Sequence, residues 1–130
     1  MAESGYPDDP TIPDSAELWR RIPPRHFFPD KNLGRVRPSS AAFDDDTDGS
    51  YMSVVLAAEV AGPEAVLLGC QGYALASITT GLARECGQVI SRDPLPENPA
   101  HALVVGSKPE SVRRRMARGS LWVVEPPAST

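Results

Sequence analysis

Apolar and polar positions along the chain fall into short blocks of different period. From Glu17 to Ile22 the alternation is that of a short strand, and Pro23 and Pro24 end it because neither ring nitrogen can donate to a ladder. Residues 51–57 form an apolar run rich in β-formers, the pattern of a buried strand and the most central one in the chain. Residues 73–80, 101–105 and 121–124 read as three further strands.

Helix signals lie between these runs. Gly62, Pro63 and Glu64 open a short helix, with proline tolerated in the first turn, and Gly69 or Gly72 closes it. Ser107 followed by Glu110 has the spacing of a capping box, Pro109 suits a first turn, and Gly119 suits a stop, so a helix is expected over 108–118. Residues 81–87 stay open between a helical turn and a continued strand, because Leu82 to Cys86 favour helix while Gly81 and Gly87 interrupt it.

The pattern therefore predicts an α+β fold: a single small mixed sheet of about five short strands with two or three short helices and long proline-rich loops. Residues 1–16, acidic and proline-rich, are expected to be a flexible tail, 17–125 one globular domain, and 126–130 a second tail. Residues 23–49 read as one long irregular stretch, packed down by Phe27, Phe28 and Phe43.

Composition changes this picture in three ways. The chain has 130 residues and 14 prolines, about twice the usual share of roughly 5%, so loops occupy much of it. No apolar run approaches the ~18 residues that cross a bilayer and the start lacks a basic head with an apolar stretch, so no membrane and a cytoplasmic location are expected. In that compartment Cys70 and Cys86 are expected to be reduced. Residues 1–65 carry six basic and twelve acidic groups, and residues 66–130 seven and five. An acidic chain is a poor partner for polyanions, so nucleic-acid binding is disfavoured.

Several constellations carry candidate chemistry. Asp44, Asp46 and Asp48 before Gly49 match the first half of a calcium loop, but Val55 stands where the bidentate glutamate belongs, so an acidic turn and no metal are expected. Arg35, Arg37, Ser39 and Ser40, preceded by Trp19, Arg20, Arg21 and His26, form a candidate anion pocket, since guanidinium forks and hydroxyls suit phosphate or carboxylate oxygens. The alternative is that these arginines pair with Asp44 to Asp48. Gly106, Ser107 and Lys108 read either as an anion site at a helix start or as a plain cap.

His101, at a strand end after a proline-rich loop, is the candidate catalytic residue, because imidazole transfers protons near neutral pH. No local motif around Cys70 or Cys86 makes either a nucleophile. Arg113, Arg114, Arg115 and Arg118 make a basic helix end that either complements the helix dipole or meets an acidic partner. No cofactor is implied.

An arginine on the first strand, serines at Ser50 and Ser53 beside the central strand, and a small mixed sheet loosely resemble the general plan of ADP-ribosyltransferase-like folds. That resemblance implies a phosphate-containing or NAD-like substrate and assigns no site residue. Two function classes follow: a non-catalytic module that binds a protein partner or an anionic ligand, and a small enzyme working through an Arg/Ser/His pocket. The first is preferred because no complete catalytic constellation is visible.

Overall fold

Strand β1 spans Glu17–Ile22 and stops where Pro23 and Pro24 begin, and a 3₁₀ turn over Pro24–His26 leads into a hairpin of β2 (Phe27–Asp30) and β3 (Arg35–Pro38). The computed structural model describes residues 6–47 and 51–127. A 3₁₀ turn at Ser40–Phe43 precedes β4 (Met52–Leu56), and another at Ala57–Glu59 precedes α1 (Pro63–Val66). Then come β5 (Ala74–Thr79), α2 (Thr80–Glu85), β6 (Val89–Arg92), β7 (His101–Val105), α3 (Glu110–Gly119) and β8 (Leu121–Val124).

Six strands form one sheet in the order β6-β7-β4-β1-β5-β8, and β2 and β3 form a separate two-stranded sheet. Every pairing is antiparallel. The fold is thus α and β in combination, as expected, with more strands among the described residues than the five legible in sequence, and no parallel pair among them.

The two faces of the large sheet are unequally covered. One face carries Leu18, Ile22, Met52, Val54, Ala76, Ile78 and Val104 and is closed by Phe43, Ala83, Met116, Ala117 and Ile12. The opposite face carries a smaller cluster of Val55, Val66, Leu75 and Ala100, with Trp19, Val60 and Val124 packed against it. Central strands β4, β5 and β7 meet apolar groups on both sides, which is why they read as continuous apolar runs.

Three boundaries differ from expectation and one that stayed open is resolved, each for a local reason. The stretch 23–49 contains the β2–β3 hairpin: Asp30 Oδ1 accepts from the backbone N–H of Asn32 and Leu33, and Gly34 takes φ 67° to close the turn. Of residues 81–87, 81–85 are helix within α2 and 86–87 a turn, because Thr79 caps α2 by accepting from Leu82 N–H. Four further residues, 89–92, then form β6. Helix α3 begins at Glu110 with Pro109 as its N-cap and no side-chain cap, so Ser107 does not close a capping box.

The segment expected to be a free tail is instead pinned over residues 8–16. Ile12 is 2% exposed within the main core. Arg84 bonds Asp8, Asp14 and the Asp9 carbonyl, while Thr80 donates from both N–H and Oγ1 to the Ala16 carbonyl. Residues 1–5 and 128–130 lie outside the described residues.

Candidate functional site

Strands β1 and β4 pair only at Leu18 with Leu56 and Trp19 with Val55, while β1 and β5 stay paired from Glu17 to Ile22. Beyond Trp19 the first pair of strands therefore parts, and the guanidinium of Arg20 fills the gap. Its Nη1 donates to Ser53 O at 2.8 Å and to Asp46 Oδ1 at 2.9 Å. Its Nε donates to Ala42 O at 3.0 Å, and Nη2 to Asp44 O at 3.2 Å. One planar fork thus satisfies three carbonyls that the broken ladder and the neighbouring turn leave open, and holds the acidic segment in place.

This parting opens a cleft of about 730 Å³ whose lining includes Trp19, Arg21, His26, Ser53, Tyr73 and His101. A row of residues in direct register crosses the same face: Ser77 on β5, Trp19 on β1, Val55 on β4 and His101 on β7. Trp19 Nε1 and Ser77 Oγ both donate to Glu17 Oε1 at 3.0 Å, which fixes the indole at one end of the row.

At the other end His101 is oriented by Asp93. Its Nδ1 lies 3.0 Å from Asp93 O and 3.2 Å from Asp93 Oδ2, and the side chain is 13% exposed. Both neighbours are acceptors, so Nδ1 carries a proton directed at them. Among the described residues Nε2 has no protein partner.

Charge in the cleft is unevenly compensated. Asp46 is paired with Arg20 and Asp45 with Lys108, while Asp44 and Glu97, which also line the cleft, have no ion-pair partner among the described residues. Arg21 and Arg25 are exposed and have no carboxylate partner among the described residues; Arg21 Nη1 donates to Cys70 Sγ at 3.6 Å. Burial first, then the charges of Arg25 and Arg20, holds the His26 imidazole below its ordinary value, so it is neutral at pH 7. Burial pushes the Cys86 thiol above its ordinary range, which disfavours the nucleophilic thiolate.

The residues singled out in sequence separate into two places. His101 lies in the wide cleft, whereas Arg35 and Arg37 line a second groove of about 290 Å³ together with Leu33, Arg118, Leu121 and Trp122. Arg37 pairs with Asp30 at 3.0 Å across the hairpin, not with Asp44 to Asp46. Ser39 donates its N–H to His26 O and Ser40 begins a 3₁₀ turn; neither lines the cleft or the groove. Lys108 is turned inward, so the Gly106-Ser107-Lys108 junction does not offer it to an anion. No group of three metal-ligating side chains occurs among the described residues; Asp48 and Gly49 of the calcium-like motif, and Ser50, fall outside them.

Sequence reasoning missed Asp93, Arg25 and the wedge role of Arg20. The signal for Asp93 was its position directly before the loop that His101 directly follows, which brings the two loop ends together. No family model matches the chain, and no curated protein or solved structure matches it either. No helix among the described residues is long and apolar enough to cross a membrane.

Proposed function

We propose that this chain is a small non-catalytic binding module whose cleft between β1 and β4 takes a small anionic ligand. The observation that carries the reading is the pair of exposed guanidiniums, Arg21 and Arg25, which line the cleft without carboxylate partners among the described residues, while two of its four acids, Asp45 and Asp46, are already paired. Trp19 and Tyr73 add flat apolar walls, so a ligand that joins an anionic group to a planar ring fits better than a bare ion. The reading includes a cytoplasmic setting, no cofactor and no nucleic-acid partner.

The test is thermal melting with inorganic phosphate, nucleotides and NAD. A ligand at about 100 times its Kd stabilises by about 2.7 kcal/mol, a shift of several degrees. That shift is expected in the wild type and absent in Arg21→Ala combined with Arg25→Ala, whose own melting temperature stays near wild type because both side chains are exposed. A series in which no anion moves the wild-type transition rejects the reading.

A second reading, an enzyme acting on a phosphate-containing or NAD-like substrate, is favoured by one observation, the Asp93-oriented imidazole of His101 with Nε2 unpartnered. In that case His101→Ala abolishes turnover of a ligand found in the melts while its stabilising shift persists. Binding without turnover in the wild type leaves only the module.

A further inference from the structure

A second surface, remote from that cleft in its lining residues, combines charge, apolar area and open backbone. Arg35 from β3 and Arg118 from the last turn of α3 are both exposed and line one groove, and neither has a carboxylate partner among the described residues. The helix dipole accounts for a cation at position 118. It does not account for Arg35, whose neighbour Arg37 is already neutralised by Asp30. Two apolar side chains, Leu33 at 52% and Leu121 at 74% exposure, border the same groove, and Trp122 forms part of its wall. Apolar groups gathered at a cationic groove mark an interaction surface more strongly than apolar groups scattered singly.

The backbone adds an independent argument. Strand β8 is the last of the six-stranded sheet, so its outer edge is paired with no strand among the described residues, whereas on β3 the Val36 carbonyl already accepts from Trp122 Nε1 at 3.1 Å. The opposite edge of the large sheet is treated differently. There Ile90 on β6 accepts from Asp9 N–H at 2.8 Å and donates to Asp8 Oδ1 at 2.9 Å, so the protein's own N-terminal segment covers it. Open edges accept an extended chain through main-chain hydrogen bonds, with side chains supplying selectivity.

We infer that the groove between β3 and β8 docks an acidic, extended polypeptide segment of a protein partner, its carboxylates meeting Arg35 and Arg118 and its alternate apolar side chains meeting Leu33, Leu121 and Trp122. Charge complementarity selects an acidic segment. Two free guanidiniums on a chain of net charge −4 are too few for a nucleic acid, which is gripped through many phosphates at once.

The two tryptophans make the test specific, because Trp19 lines the wide cleft and Trp122 lines the groove. In Trp19→Phe, Trp122 is the remaining reporter. The probe is a capped seven-residue peptide alternating glutamate with valine; the controls are the same peptide with lysine for glutamate, and a ten-nucleotide oligouridine. A saturable change in Trp122 emission with the acidic peptide is expected, weakened at least tenfold by Arg35→Ala with Arg118→Ala and absent with the lysine peptide. Arg35→Glu with Arg118→Glu should exchange the preference, binding the lysine peptide instead, which separates lost charge from lost fold.

The inference is overturned by an unchanged emission, by equal binding of both peptides, by undiminished binding in the alanine pair, or by oligouridine binding in place of the peptide. It is also overturned if sedimentation of the unliganded chain shows a dimer that Leu121→Glu dissociates, since the occupant is then a second copy. Phosphate or nucleotide binding in the cleft is scored separately through Trp19 in Trp122→Phe, so failure at one surface leaves the other reading intact.

Discussion

Lys108 Nζ lies 2.6 Å from Asp45 Oδ1, although 63 positions separate the two residues in sequence. The lysine side chain is 1% exposed and its other two protons go to Val104 O at 2.8 Å and Gly106 O at 3.2 Å. Every donor of a buried ammonium is thus placed, which is what makes its burial tolerable. The same contact ties the acidic wall of the cleft to the junction between β7 and α3.

Lys108→Met should therefore lower stability by about 3 kcal/mol, because it leaves two buried carbonyls and one carboxylate without their donor. Asp45→Asn, at a half-exposed position, should cost about 1 kcal/mol. Urea unfolding of both single variants and the double variant measures the coupling, and a Lys108→Met loss below ~0.5 kcal/mol would show that the ammonium is dispensable.

Arg20→Lys tests the wedge between β1 and β4. An ammonium has three donors and no fork, so it cannot reach Ala42 O, Asp44 O, Ser53 O and Asp46 together. The expected loss is about 2 kcal/mol, with Trp19 emission shifted because the cleft wall loosens. Unchanged stability and emission in the lysine variant contradict the wedge.

Ile12→Ala should cost about 3 kcal/mol, as for any aliphatic side chain removed from a packed core, and deleting residues 1–15 should cost more. Melting curves of both decide whether residues 8–16 belong to the fold. A deletion that melts within a degree or two of the full chain returns this segment to the status of a tail.

The pH dependence of stability has two windows. A histidine whose folded value is depressed contributes stability that is present above its ordinary value of 6.5 and lost as pH falls below it, because the unfolded chain then takes the proton more readily. His26→Gln should accordingly flatten the fall in melting temperature between pH 7 and pH 5. Asp9, held down first by the Thr11 hydroxyl, and Asp30, held down first by Arg37, contribute only above their ordinary 3.8 and lose their share below it. An identical pH 7 to 5 slope in wild type and His26→Gln removes His26 from the account.

Elements whose ends carry hard stops were legible in sequence. Strand β1 ends at Pro23, and β4, β5 and β7 are apolar on both faces, so each stood out. The β2–β3 hairpin did not, because Pro29, Pro38 and the arginines between them break the β pattern; only the Asp30 to Gly34 turn announced it. Strand β6, four residues long, is too short for a period to show.

For the site, local chemistry was legible and pairing was not. His101 was visible as an imidazole at a strand end, but its orienting partner Asp93 depends on the loop that joins β6 to β7. Arg20 resembled its neighbours Arg21 and Arg25, and what separates it from them is the face of β1 it occupies and the loss of the β4 ladder beside it. Such roles are set by register between distant segments, which no window of sequence contains.

The unequal treatment of the two sheet edges also governs how copies of this chain meet when it is concentrated. Fibrous growth by strand pairing requires a monomer that is sticky at both ends, so that each addition exposes a fresh template. Here one end is plugged by Asp8 and Asp9 on Ile90, and only the β8 end is open. Pairing through that end consumes the one open edge of the large sheet on each copy, so edge-to-edge association of the large sheet terminates at two, and Asp8 and Asp9 act as a polymerisation stopper built into every molecule.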